Sequence, residues 1–158
     1  MPSKIPQVID YLLAQAAAAQ ATTLADVTIH DGPPAVQPPG TNKHLVIGGE
    51  WTTPELSRPA ATGSQETSMG NRSRNETIAV TCQARSAWGA VEMVTRRAEA
   101  FAIVAAVEAL IVADPTLGGL TYADAKVGSV DEVRQIQQSG AGCIVSFMVM
   151  ATALLWDG

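Results

Sequence analysis

Thr77-Ile-Ala-Val-Thr-Cys-Gln-Ala-Arg85, followed through Ser86 by the apolar stretch Ala87–Ala113, decides the fold. In the first segment Ile78, Val80, Cys82 and Ala84 alternate with Thr77, Ala79, Thr81 and Gln83, the period of a strand with one apolar and one milder face. The second segment is too long for a strand and reads as one helix. Val94, Ala98, Phe101, Val104, Ala105 and Ile111 form its apolar stripe, and Glu92, Arg96 and Glu99 stand at spacings that allow Glu–Arg pairs. Asp114-Pro-Thr-Leu-Gly-Gly119 breaks the helix. The expectation is a helix lying across a sheet, with Phe101 in the core.

Upstream, Ile5, Val8, Ile9, Leu12, Leu13 and Ala16 recur at helical spacing, with Ser3 placed to cap and Pro6 in the first turn, where its missing N–H costs least. Residues 4–20 therefore read as an amphipathic helix. Val27–Asp31 reads as a short strand ended by Gly32-Pro-Pro, and His44–Gly48 as a second. From Gly49 to Asn75 the periodicity disappears and Thr, Ser, Pro, Gly, Gln and Glu take over, so residues 50–75 read as a long extended loop or arm.

Downstream of the break, Leu120–Val127 and Ser129–Gln138 read as two strands joined at Gly128. With the last run, Cys143–Leu155, they form a three-strand meander. That run has almost no polar interruption besides Ser146 and Thr152, so it should be a central strand, buried on both faces or on one face against a neighbouring subunit. The whole is a single domain, 1–158, of the α/β (α+β) class. It has a mixed or antiparallel sheet of about five to six strands, packed against an N-terminal helix and one long central helix.

Composition narrows the function. The chain has 158 residues, 47% hydrophobic but only 16% charged and 4% aromatic, so much of its surface is uncharged or is covered by another subunit. The formal net charge of −5 and pI near 4.9 argue against a phosphate-binding surface. The first 30 residues lack the pattern of a secretory signal, and Phe101–Val112, which contains Glu108, is too short to span a bilayer. Cys82 and Cys143 lie in apolar alternating segments and read as buried thiols of a reducing cytoplasm.

No catalytic constellation stands out. His30 and His44 each lie at a strand end without a partner at metal-ligand spacing, and neither cysteine has an electropositive neighbourhood that would activate it. Gly48-Gly49, Gly118-Gly119 and Gly63…Gly70 lack the spacing and the lysine of a phosphate cradle. No cofactor, metal or catalytic residue is expected. The features that remain suit contact with other subunits. Arg72 and Arg74 end the aperiodic segment and could pair with Glu50, Glu66 or Asp131 across an interface, and Trp51 and Trp156 are candidate anchors.

The order of these segments resembles the tail terminator proteins of long-tailed (siphovirus-type) phages of actinobacteria. The resemblance rests on Ile5-Pro-Gln-Val-Ile-Asp-Tyr-Leu12, Val27-Thr-Ile-His-Asp-Gly-Pro-Pro34, Leu45-Val-Ile-Gly48 and Ala84-Arg-Ser86. It continues through Arg97-Ala-Glu-Ala-Phe101, Ala113-Asp-Pro-Thr-Leu-Gly-Gly119 and Gln138-Ser-Gly-Ala-Gly142. It implies a non-enzymatic virion subunit that forms a homo-oligomeric ring, typically a hexamer, at the head-proximal end of the tail tube. There it ends tube polymerisation and joins the tail to the head–tail connector. The implied partners are further copies of the chain, the tail tube protein and the connector or stopper protein. DNA passes through the lumen without tight binding, no membrane is involved, and assembly takes place in the host bacterial cytoplasm. Other structural readings are a different neck component, such as a head-completion or stopper protein, or the tube protein itself. A small cytoplasmic enzyme is the reading from another class, and it would need a pocket of convergent polar groups.

Overall fold

A computed structural model describes residues 2–34, 42–51, 58–67, 73–138 and 140–156. In chain order the elements are α1 (Ile5–Ala19), β1 (Val27–Asp31), β2 (Lys43–Ile47), β3 (Ala61–Thr67), β4 (Ser73–Ser86), α2 (Met93–Ala113), β5 (Lys126–Gln138) and β6 (Gly140–Trp156). The strands form one six-stranded sheet in the order β1-β2-β4-β6-β5, with β3 on the distal half of β4. Only β1 and β2 run parallel; the other pairs are antiparallel. The fold is α+β: one mostly antiparallel sheet with both helices on one face.

The alternation read in 77–85 sets the layers. Ile78, Val80, Cys82 and Ala84 are buried against α1 and α2, together with Leu45 and Ile47 of β2 and Cys143, Val145, Phe147 and Val149 of β6. β6 pairs with β4 along its whole length and with β5 on its other side, which makes it the central strand expected. Its odd-numbered positions are buried; most of the even-numbered ones, on the outer face, are half-buried. Within the chain the odd-numbered face is fully covered and the even-numbered face partly so, with Gly142 and Ser146 buried.

Four expectations change. The helix begins at Met93 rather than Ala87, because Gly89 has a left-handed backbone (φ 95) and bridges to Gly140, while Arg96 reaches back to donate to the Trp88 carbonyl. Gly140 also has positive φ (107), and a Cβ there would run into the Gly89 backbone, so this crossing requires glycine. The helix is also rotated from the expected stripe. Its buried side is Arg96, Ala100, Ile103, Val104, Ala106, Val107 and Ile111, whereas Val94 is 55% and Phe101 38% exposed and Ala98 and Ala105 face outward. α2 is apolar on two sides, and the branched residues Ile103, Val104, Val107 and Ile111 fill the sheet-facing one.

The remaining two corrections lie in the strands. The segment 50–75 is not structureless: Ala61–Thr67 pairs with β4 over seven residues. Nor is there a three-strand meander. Residues 115–120 continue as turns, organised by the Asp114 carboxylate, which accepts from the backbone and hydroxyl of Thr116 and from the Gly118 N–H. β5 then runs unbroken from Lys126 to Gln138, absorbing Gly128 and Asp131 as irregularities in its register with β6.

Candidate functional site

The outer face of the sheet, opposite the helices, carries most of the polar side chains. Parallel pairing of β1 and β2 sets Thr28 beside His44 and His30 beside Val46, so the two histidines become diagonal neighbours on one face. His30 Nε2 lies 3.0 Å from His44 Nδ1, a hydrogen bond in which one imidazole donates and the other accepts. Their rings stack at 5.2 Å. His44 is buried, and burial lowers the pKa of His30 from 6.5.

Trp51 closes over this pair. Its backbone N–H donates to Gln83 Oε1 at 3.0 Å, its ring meets His44 edge-on at 5.1 Å, and the Arg85 guanidinium lies over it at 4.4 Å. Trp88 approaches the same guanidinium at 5.7 Å. Glu50 and Trp51, which follow β2, are thus held on the outer face of the sheet. Arg58 lies with Nε 2.9 Å from the buried Glu50 carboxylate, Nη1 2.9 Å from Asp131 and Nη2 3.6 Å from Glu132 on β5. Thr81, Gln83 and Ser146 on this face are buried.

A second polar network lies where β4 hands over to α2. Arg96, 3% exposed, donates to Ser86 Oγ and the Trp88 carbonyl and pairs with Glu99, to which Ser86 also donates at 3.0 Å and Lys43 approaches at 3.7 Å. It fixes the entry of the helix. Cys82 and Cys143 are buried free thiols; burial pushes Cys82 up to about 12 and raises Cys143, so neither is poised as a nucleophile. Among the described residues no three His, Cys, Asp or Glu side chains gather at metal-ligand distance, and no helix is long and apolar enough to cross a membrane.

The residues singled out from sequence are placed unevenly. Trp51 is engaged within its own chain, as above. Arg74 is half-buried in β4, opposite Thr67 on one side and Leu155 on the other, and Arg72 lies outside the described residues. Trp156 ends β6 opposite Ser73, and its side chain lies outside what is described. Of the acids considered as partners for the arginines, Glu50 and Asp131 already pair with Arg58 in the same chain, whereas Glu66 is exposed on β3. Sequence reading missed Arg58 because it lies in the aperiodic segment, and missed the histidine pair because only strand register brings the two rings together.

Part of the surface left uncovered by the described residues is apolar. On α2 Val94, Ala98, Phe101, Ala105 and Val112 face outward, the last 74% exposed. The edge strand β5 adds Val130 (46% exposed) and Val133 (43%), across from Phe147 and Val145 on the helix-bearing side of the sheet. Arg97 of α2 donates to Gln135 of β5 at 2.6 Å, which places this outward helix face beside that edge. On the opposite face of the sheet, Ala79, Met148 and Met150 are half-buried apolar neighbours. Neither the protein-family models nor the curated proteins compared with the chain contain a match to it.

Proposed function

We propose that the chain is a structural virion subunit, a tail terminator that assembles into a ring at the head-proximal end of a phage tail tube. There it stops tube growth and meets the head–tail connector. The observation that carries the reading is the outward face of α2. That side exposes Val94, Ala98, Phe101, Ala105 and Val112 with Glu108 among them, more apolar surface than a helix facing water usually carries, and suited to being covered by another molecule.

Other features support the same reading. The segment order resembles that of tail terminators across most of the chain. The acidic balance of the chain suits a lumen through which DNA slides rather than one that grips phosphates. The polar clusters that do exist, around Arg58, Arg96 and the histidine pair, tie secondary-structure elements together. A head-completion protein or the tube protein shares the structural class and differs in what it assembles.

Negative-stain images of the purified protein distinguish these outcomes. The terminator reading expects closed rings of one diameter that do not stack. Long tubes indicate a tube protein, and particles that remain single subunits at every concentration, with tube protein present, overturn the assembly reading altogether.

A further inference from the structure

We propose that the His30–His44 pair is an acid-operated catch: neutral or with one added proton it keeps Trp51 seated on the outer face of the sheet, and with two it lets Trp51 go. The catch belongs to the single subunit and stands apart from the assembly reading.

The two rings meet head-on. Their centres are 5.2 Å apart and the facing nitrogens 3.0 Å, with the planes 29° from parallel, and the difference is what the two centre-to-nitrogen radii take up. Each nitrogen therefore points at the other, which suits one shared proton and leaves no common point for a metal ion. In the neutral pair one ring donates and the other accepts. A first added proton leaves that bond in place, now donated by an imidazolium. A second puts an N–H on both facing nitrogens and a charge on both rings, so the bond loses its acceptor.

The surroundings add to that repulsion. On this face β1 places Thr28 and His30, β2 places His44 and Val46, and β4 places Thr81, Gln83 and Arg85, the last directly across from His44 in the β2–β4 register. Like charges directly opposite each other on neighbouring strands destabilise a sheet. β6 adds Ser146, which is uncharged. Glu50, Asp131 and Glu132 gather around Arg58, and Arg134 pairs with Glu132. Lys43 meets Glu99 on the helix side, and Asp31, at the end of β1, is exposed. His44 is 4% exposed, so a cation there is relieved by opening the cluster to water.

Trp51 sits where that opening acts. Its ring meets His44 at 5.1 Å and His30 at 5.7 Å, while Gln83 and Arg85 hold it from β4. When the imidazoles part, the surface on which the indole rests is lost. Burial lowers the pKa of His30 from 6.5, so the pair loads its protons only in acid.

Acrylamide quenching tests the catch in the full chain carrying Trp88→Phe and Trp156→Phe, which leaves Trp51 as its one indole. As pH falls below 6.5 the quenching constant is expected to rise from its neutral value to near that of the urea-unfolded chain, while far-UV circular dichroism stays native. His30→Gln keeps a neutral side chain that can donate or accept, and it should abolish the rise. A constant that stays flat until the circular dichroism falls would overturn the catch. The same rise in the His30→Gln chain would overturn it too, by placing the trigger elsewhere. Should the double replacement not fold, the indole N–H resonance of Trp51 in the parent chain, assigned by its loss in Trp51→Phe, carries the test. It should move to its unfolded position over the same pH range, and a resonance that holds its native position while the circular dichroism is native would overturn the catch.

Discussion

The carboxylate of Glu76, 1% exposed in β4, accepts the backbone N–H of Lys4 at 2.8 Å and so holds the start of α1 from 72 residues away. A helix N-terminus presents unpaired N–H groups and a partial positive charge, and a buried anion satisfies both. Ser3 Oγ accepts the next N–H, from Ile5, at 3.1 Å, and Gln65 Nε2 reaches the second Glu76 oxygen at 3.4 Å. One side chain thus joins α1, β3 and β4.

Glu76→Ala should destabilise the fold by about 1–3 kcal/mol, since it leaves a buried donor without its acceptor. Glu76→Gln keeps an acceptor and should cost less. Urea unfolding of the three proteins decides the point; an Ala variant as stable as the parent would mean that α1 is held by its apolar face alone.

Acid should weaken the protein in two steps. Burial lowers the pKa of His30 from 6.5, so as pH falls through 6.5 the unfolded chain takes up the proton first and stability declines. Asp114 behaves as a stabilised carboxylate. Its hydrogen bonds, that from Thr116 foremost, hold its pKa down from 3.8 to about 2, so its contribution is complete above 3.8 and is lost as pH falls towards 2. A melting-temperature profile should show both declines, and His30→Gln should flatten only the upper one. An unchanged profile in that variant would place the upper titration elsewhere.

The orientation of α2 is tested by two phenylalanines. Phe147 is fully buried and Phe101 is 38% exposed. Phe147→Ala should cost about 3–5 kcal/mol. Phe101→Ala should cost about 1 kcal/mol or less in the isolated subunit, as changes on the surface do. Similar losses at both sites would return Phe101 to the core.

That contrast also shows what could be read from the chain. The alternation in 77–85, the helical spacing of Ile5 to Ala16 and the apolar run of 143–155 each carry one period, and each element formed where that period put it. α2 carries two apolar faces. Periodicity identifies such a helix but not which face meets the sheet: of the expected stripe Val104 and Ile111 turned inward, while Val94, Ala98, Phe101 and Ala105 turned outward. β3 was illegible because Ala61-Thr-Gly-Ser-Gln-Glu-Thr67 is an edge strand with its side chains largely exposed, so it has no apolar alternation to show. Gly128 looked like a chain break and is an irregularity inside β5. Trp51, expected as an anchor between subunits, packs on His30, His44 and Arg85 of its own chain, partners that depend on a register spacing alone does not reveal.

Arg58 should prove more important to the fold than either arginine first considered. Arg58→Ala removes the partner of a buried Glu50 and the link to Asp131 of β5, at a cost of about 1–3 kcal/mol. Changing Arg74 to Ala should cost less than that by thermal unfolding. The reverse order would mean that Glu50 and Trp51 are held on the sheet without help from Arg58.

The central claim, a subunit that assembles with itself, is tested most directly by the mass of the purified protein in solution across a range of concentrations. The account predicts one species at a fixed multiple of the 16.4 kDa chain, converted to monomer by Phe101→Glu without loss of helical or sheet signal. A mass of one chain at every concentration, with tail tube protein present as well as absent, would contradict it.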